Sequence, residues 1–229
     1  MSGDRTLLIT GASTGIGAET ARQAVSAGWR VALGARSEDK LEQLVRELGE
    51  DTAFAQRCDV TVWEDQERFV AAAIARFGAV DAVLANAGFG AKRGFLEETP
   101  EQWRAMVLTN VLGVAYSIRA ALPHFRERSA GHFVLTSSVA GRRALPGSLY
   151  SSTKWAVTGM GESLRQEVAD TPIKVTLIEP GMVDTPFFDD RPTGALKAED
   201  IARAIVYALG EPAHVDVNEI LIRPINQPL

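Results

Sequence analysis

Thr6-Leu7-Leu8-Ile9-Thr10 runs directly into Gly11-Ala12-Ser13-Thr14-Gly15-Ile16-Gly17. The first five residues, apolar or β-branched, predict a short buried strand, and the run beyond the turn predicts a helix ending near Gly28. Glycines between the two permit a tight turn and close approach of backbone to a ligand. The free N–H groups at the start of the helix attract a pyrophosphate. A glycine-rich turn that merely connects two elements is the plainer alternative. A strand before it and a helix after it favour the nucleotide reading.

The same alternation continues outward along the chain. Val31-Ala32-Leu33, Ala82-Val83-Leu84, Phe133-Val134-Leu135 and Ile173-Lys174-Val175-Thr176-Leu177-Ile178 read as further strands, with weaker candidates at Thr52-Ala53-Phe54 and Glu219-Ile220-Leu221-Ile222. Helical patterns separate them, such as Leu41, Leu44, Val45 and Leu48 closed by Gly49. Continuous apolar strands alternating with helices predict an α/β fold, a doubly wound parallel sheet of about seven strands with helices on both faces. Such sheets bind ligands beyond the carboxyl ends of their strands, so the loops after the strands are where the site should lie. No linker, repeat or low-complexity segment divides the 229 residues, which are expected to form one domain, 1–229.

Composition narrows the classes of function. The net charge of -5 disfavours a nucleic-acid partner, since phosphate neutralisation calls for the opposite balance. The apolar fraction of 46% is ordinary for a soluble protein. No apolar run is expected to reach the ~20 residues that a membrane span needs. Met1-Ser2-Gly3-Asp4-Arg5 lacks the basic-then-apolar pattern of a signal peptide. A single cysteine, Cys58, cannot form an internal disulfide, which suits a cytoplasmic location.

The form Thr10-Gly11-x-x-x-Gly15-x-Gly17 resembles the short-chain dehydrogenase/reductase family, in its single-domain branch with a Rossmann fold. Five more segments follow in that family's order, from Thr6 to Thr185. Gly34-Ala35-Arg36-Ser37 places Ala35 where NAD-preferring relatives carry Asp, and Arg36 beside it suits a 2′-phosphate. NADP(H) is therefore the expected cofactor, with NAD(H) still possible, because Thr14 stands where some NADP-using relatives have a second basic residue. The resemblance further assigns Ser13, Ile16, Asp59 and Val60 to the nucleotide. It adds Asn86-Ala87-Gly88, with Ala85 replacing that turn's usual first Asn. Pro180, Gly181, Val183 and Thr185 would hold the nicotinamide carboxamide.

The catalytic expectation follows from the same resemblance and from the chemistry. Tyr150 and Lys154 lie one helical turn apart and share a face. A carbonyl that accepts hydride becomes an alkoxide and needs a proton donor within hydrogen-bond reach. A phenol with a pKa near 10 would be tuned downward by a neighbouring ammonium. Ser138 would donate to the substrate oxygen; it lies one residue closer to Tyr150 than is usual in the family, and Ser137 would restore that spacing. Val139-Ala140-Gly141 aligns Ser138 rather than Ser137. Thr99-Pro100-Glu101-Gln102 predicts a capped helix start, with Trp103, Met106, Val107, Val111 and Val114 on its buried stripe. Asn110 shares that stripe and, by resemblance, holds a relay water for Lys154.

The remaining chemistry-bearing residues have plainer readings. His124, His132 and His214 lack metal-ligand spacing, and no metal is expected. Cys58 reads as a small buried apolar residue. Arg142 and Arg143 fall near the substrate entrance, as solvated charge or as a carboxylate clamp. Phe89 and Phe187 are candidate apolar walls, and the short segment 187–194 predicts an open pocket. The substrate would be a small alcohol, ketone, aldehyde or hydroxy acid, in a homotetramer or homodimer built through the helices of Asn110 and Tyr150. A non-catalytic NADP(H)-binding module is the rival reading, for it requires the glycine turn but not the Ser138, Tyr150, Lys154 and Asn110 set.

Overall fold

In the computed structural model residues 5–187 and 192–227 are described. The strands are β1 (Thr6–Thr10), β2 (Arg30–Ala35), β3 (Ala53–Arg57), β4 (Ala82–Ala85), β5 (Gly131–Thr136), β6 (Ile173–Pro180), β7 (Val183–Asp184), β8 (Leu196–Lys197) and β9 (Glu219–Ile222). Seven of them make one sheet in the order β3-β2-β1-β4-β5-β6-β9. Every neighbouring pair is parallel. The unanticipated pair β7–β8 forms a small separate ribbon.

Side-chain alternation builds a core on each face. In β1, Leu8 points to the face covered by α3 (Trp63–Phe77), α5 (Gly113–Arg128) and α6 (Leu149–Glu167), alongside Phe69, Val114 and Val157. Leu7 and Ile9 point to the other face, with Ala21 of α1 (Gly15–Ser26), Leu41 of α2 (Glu38–Leu48) and Ile201 of α7 (Ala198–Gly210). Burial on both faces explains why the strands read as continuous apolar runs.

The chain winds outward from β1 to β3 and then returns to lay β4 on the opposite side of β1. The carboxyl ends of β1 and β4 thus diverge into a crevice at the point where strand order reverses. The β5 and β6 ends open on the same side, so the loops at Gly11, Asn86, Ser138 and Gly181 converge there.

One helical expectation needs correcting. Thr99 caps α4 (Pro100–Val107) in a full capping box with Gln102, but α4 reaches α5 through a π-helical turn, Leu108–Leu112. The wider turn shifts the phase of the buried stripe. Met106, Asn110 and Val114 are buried, whereas Val107 is 41% exposed, and Trp103 and Val111 are half-buried. The continuous rod Pro100–Arg128 is also long and apolar enough, by length and composition alone, to cross a membrane, contrary to the expectation that no run would be. Here it packs against α3 and α6 and hydrogen-bonds through Asn110 and Ser117.

Candidate active site

A cleft of about 540 Å³ runs along the carboxyl ends of the strands. It is lined by every residue expected to bind cofactor or substrate except Gly17 and Asn110, which stand directly behind its wall. At the β1 end the backbone is shaped by the absence of side chains. Gly11 has φ +66°, and a Cβ there would lie 2.8 Å from the Ala87 Cα. A Cβ on Gly17 would lie 2.3 Å from the Gly11 carbonyl oxygen, so Gly17 lets α1 close onto the turn. Thr14, at the N-cap of α1, makes no side-chain capping bond, and the first turn carries no acidic residue. The first amides of α1 are therefore left to an anion, with the positive end of the helix dipole behind them. Ser13, Gly15 and Ile16 line this cradle, and Thr185 stands over Gly15, 3.3 Å from where a Cβ would be.

Arg36 is exposed at the end of β2, next to buried Ala35. Asp59 follows β3 and accepts from the Thr61 amide and hydroxyl through Oδ1, at 3.0 and 2.8 Å. Burial raises its carboxyl, but the Thr61 hydrogen bonds and the Arg36 and Arg57 charges outweigh that and hold it below its ordinary value. Val60 is buried beside it. Arg57 is thus a second cation near this end that the sequence reading passed over.

Asn86 serves as a tie between strand ends. Its Nδ2 donates to the Thr10 and Gly11 carbonyls at 3.3 and 3.4 Å, and its Oδ1 accepts from the Thr136 hydroxyl at 3.3 Å. The Thr10 hydroxyl in turn accepts from the amides of Asn86 and Ala87. Asn86 lines the cleft, and its carboxamide also ties the protein's own backbone together there. Thr10 and Thr136 were missed because a Thr at a strand end carries no distinctive local signal.

Beyond Gly88 lies the reactive end. Asn110 holds Phe89 from both sides: Nδ2 donates to the Phe89 carbonyl at 2.9 Å, and Oδ1 accepts from the Phe89 amide at 3.0 Å. Nδ2 also reaches the Thr153 hydroxyl at 3.2 Å. A Cβ on Gly88 would meet Asn110 Oδ1 at 3.1 Å and Lys154 Nζ at 3.8 Å, so the three groups converge.

Ser148 caps α6 by accepting from the Ser151 amide, and α6 then presents Tyr150 and Lys154 toward the cleft. Lys154 Nζ lies 5.6 Å from the Tyr150 ring centroid. Ser138 lies beside the Tyr150 phenol and favours its ionised form. The Ser138 hydroxyl also accepts from the Ala140 amide at 3.1 Å and donates to the Pro180 carbonyl at 3.3 Å. Ser137 Oγ turns instead into the α6 interface, donating to the Lys154 carbonyl at 3.1 Å and sharing a hydrogen bond with Thr158 at 2.8 Å.

Burial works against the expected tuning of the phenol. Lys154 donates to the Thr136 carbonyl at 2.8 Å, and burial brings its ammonium down to about 8. Burial pushes the Tyr150 phenol up to about 12, with Ser138 opposing it and no contribution from Lys154. Desolvation is the largest influence on both groups.

The Pro180-Gly181 turn is braced by the C-terminal segment, since Gln227 Oε1 accepts from the Met182 amide at 2.8 Å. Val183 is buried in β7. Phe187 lies edge-on to Tyr150 with ring centroids 5.5 Å apart, and Phe89 lines the cleft. Much of the segment on which the open-pocket expectation rests, 188–191, lies outside the described residues.

Arg142 is exposed but already paired with carboxylates of the protein. Its Nε donates to Glu179 Oε1 at 2.6 Å and its other arm pairs with Glu219, joining the loop after β5 to β6 and β9. Glu179 is 1% exposed, and burial raises its carboxyl although Arg142 lowers it. His132 is buried against the Thr176 hydroxyl, His124 accepts from the Val80 amide, and His214 is exposed. Burial pushes the Cys58 thiol up to about 12, so it is an inert core group.

The sequence and fold match known proteins along nearly all of the chain. The sequence model of the short chain dehydrogenase family matches residues 5–195. An uncharacterized oxidoreductase of Staphylococcus haemolyticus is 42% identical over 96% of this chain and 97% of its own. Among solved structures, an alcohol dehydrogenase from the archaeon Thermococcus sibiricus, complexed with 5-hydroxy-NADP, superposes with a TM-score of 0.91 at 34% identity, covering 98% of each chain. Serine dehydrogenase from Escherichia coli has a TM-score of 0.90 at 31% identity, covering 98% of this chain and 100% of its own. The chain therefore belongs to the short-chain dehydrogenase/reductase family and is an oxidoreductase.

Proposed function

We propose that the cleft binds NADP(H) in preference to NAD(H), and that the protein interconverts an alcohol and a carbonyl compound with Tyr150 as the acid/base. The observation that carries this reading is the phenol of Tyr150, with Ser138 beside it and the Lys154 ammonium 5.6 Å from its ring centroid, at the end of a cleft whose other end is a cradle shaped for a pyrophosphate. Bound nicotinamide would supply or accept hydride at the substrate carbon. Gly11, Ser13, Thr14, Gly15 and Ile16 would hold its phosphates, Asp59 and Val60 its adenine, and Pro180, Gly181, Val183 and Thr185 its carboxamide. Arg36 would meet the 2′-phosphate, in line with the NADP-type ligands of the Thermococcus sibiricus enzyme and of a closed serine dehydrogenase.

In the reducing direction Tyr150 donates its proton to the carbonyl oxygen, and Ser138 donates a hydrogen bond to the same oxygen. A phenol pushed up to about 12 is fully protonated at neutral pH and so is available as that donor. Asn110 fixes Gly88 and Phe89 beside Lys154, which can move from the Thr136 carbonyl to a ribose hydroxyl. The protein is read as one catalytic domain working in the cytoplasm, with small molecules rather than nucleic acid or membrane as partners. The exposure of Trp155 on α6, 49%, and of Val107 on α4 supports a homodimer or homotetramer through those helices, which sedimentation would test.

A panel of ketones, aldehydes and hydroxy acids, assayed separately with NADPH and NADH, tests the reaction. Tyr150→Phe should lower kcat by about a hundredfold or more while cofactor still binds. Full turnover by that variant would sink the assignment of Tyr150.

A further inference from the structure

The half of the cleft beyond Tyr150 is walled by apolar side chains, notably Phe89, Leu145, Met182 and Phe187. One arginine, Arg93, lines the cleft among them. It is exposed, and among the described residues it has no carboxylate within ion-pair distance. Arg22, Arg68, Arg126, Arg142 and Arg165, by contrast, are all paired. The acidic residue that lines the cleft, Asp59, sits at its far end after β3. The lining of the reactive end therefore holds two cations, Arg93 and Lys154, and no carboxylate among the described residues, for the nearby Glu98 accepts from the Lys92 amide and Glu97 lies against Gly94.

Arg93 is also held in place. The segment that carries it leaves β4 through Phe89, which Asn110 grips from both sides. It is pinned again one residue later, where the Gly94 amide donates to the Gly147 carbonyl at 2.8 Å, three residues before Tyr150. Between them the Lys92 amide donates to Glu98 at 2.9 Å. The two anchors tie Arg93 to the same elements that position the phenol.

Building on the function proposed above, we propose that the substrate is a short oxo or hydroxy acid and that Arg93 receives its carboxylate. A guanidinium binds a carboxylate through two parallel N–H···O bonds, which fixes orientation as well as charge. With the carboxylate on Arg93 and the reacting oxygen on Tyr150 and Ser138, the substrate is held at two points. Reduction then moves a hydride, two electrons, from NADPH to the carbonyl carbon and a proton from Tyr150 to its oxygen. The products are the hydroxy acid and NADP⁺, and the carboxylate keeps its charge. A single guanidinium in an otherwise apolar wall suits a monoanion better than a dianionic phosphate, which needs more donors.

The test compares 2-, 3- and 4-hydroxybutyrate with their methyl esters, using NADP⁺. The wild type should favour at least one acid over its ester by about tenfold or more in kcat/KM, through KM. Arg93→Leu should abolish that ratio, and Arg93→Lys should restore part of it. Equal rates for acids and esters, or a ratio that survives Arg93→Leu, would overturn the inference and leave the oxidoreductase reading intact. If no compound turns over, the proposed reaction fails instead, and calorimetric titration of butyrate into the NADP⁺-loaded protein still reads Arg93. Binding by the wild type that Arg93→Leu loses supports the carboxylate site; no binding, or binding unchanged by the substitution, overturns it.

Discussion

The two ends of the cleft are built on opposite principles. At the β1–α1 end the work is done by backbone: glycines make room and Thr14 leaves helix amides uncapped. At the β5–α6 end it is done by side chains that hold one another across long stretches of sequence. Lys154 is tied to Thr136, Asn110 to Phe89 and Thr153, and Arg142 to Glu179 and Glu219. A site made of missing atoms tolerates no addition, whereas a site made of mutual hydrogen bonds is sensitive to deletion and to pH.

The sharpest way to break this contrast is to add one methyl group at the first end. Gly11→Ala meets the Ala87 Cα at 2.8 Å and must hold φ +66°. It should destabilise the fold by about 3 kcal/mol, combining overpacking with left-handed strain. Cofactor affinity should fall in parallel, and thermal unfolding and calorimetric titration would show both losses. A stable variant that binds normally would mean the turn is not the cradle.

At the second end, pH is the lever. Lys154 in the folded protein releases its proton near 8, but in the unfolded chain it holds it to its ordinary 10.5. Between those values the unfolded chain binds more protons, so stability should rise with pH. Tyr150 acts in the opposite sense only above about pH 10, where the unfolded phenol ionises and the folded one does not. Relative to Lys154→Met, the wild type should gain about 2 to 3 kcal/mol between pH 8 and pH 10, read from urea unfolding. Parallel pH profiles for the two proteins would exclude a buried ammonium.

Arg142→Ala should cost about 1 to 2 kcal/mol at pH 7, discounted because Arg142 is itself 34% exposed. Without its partner the Glu179 carboxyl rises further, holds its proton more readily when folded, and loses stability as pH increases. The deficit should accordingly shrink as pH falls toward 5, which the same unfolding measurement would follow. A constant deficit would mean that packing, not charge, was lost.

The smallest effect concerns cofactor choice. Arg36 is exposed, so Arg36→Ala should raise KM for NADPH by only about tenfold and leave KM for NADH nearly unchanged. Equal changes for both cofactors would remove Arg36 from the 2′-phosphate.

The first end is legible in the residue order itself, because a turn, its glycines and the following helix are contiguous in the chain. The second end is legible in its cast but not in its connections. Arg142 reads as a substrate clamp or a solvated charge, yet Glu179, 37 residues away, holds it. A steady helical period places Val107 in the core, but the π-helical turn at Leu108–Leu112 interrupts that period. One-turn spacing implies an effect of Lys154 on Tyr150, but spacing does not say that the Thr136 carbonyl competes for the ammonium.

Residue order alone determined the strand–helix alternation, the parallel sheet, the phosphate-shaped turn and the family, since each rests on local periodicity or on contiguous motifs. Tertiary structure alone decided which polar groups meet: Asn86 with the ends of β1 and β5, Gln227 with the Pro-Gly turn, Arg93 in the same cleft as Tyr150 with no carboxylate of its own among the described residues. Those pairings depend on where strands stop and loops fold back, and burial then sets the protonation of Tyr150 and Lys154. Sequence distance carries no information about either.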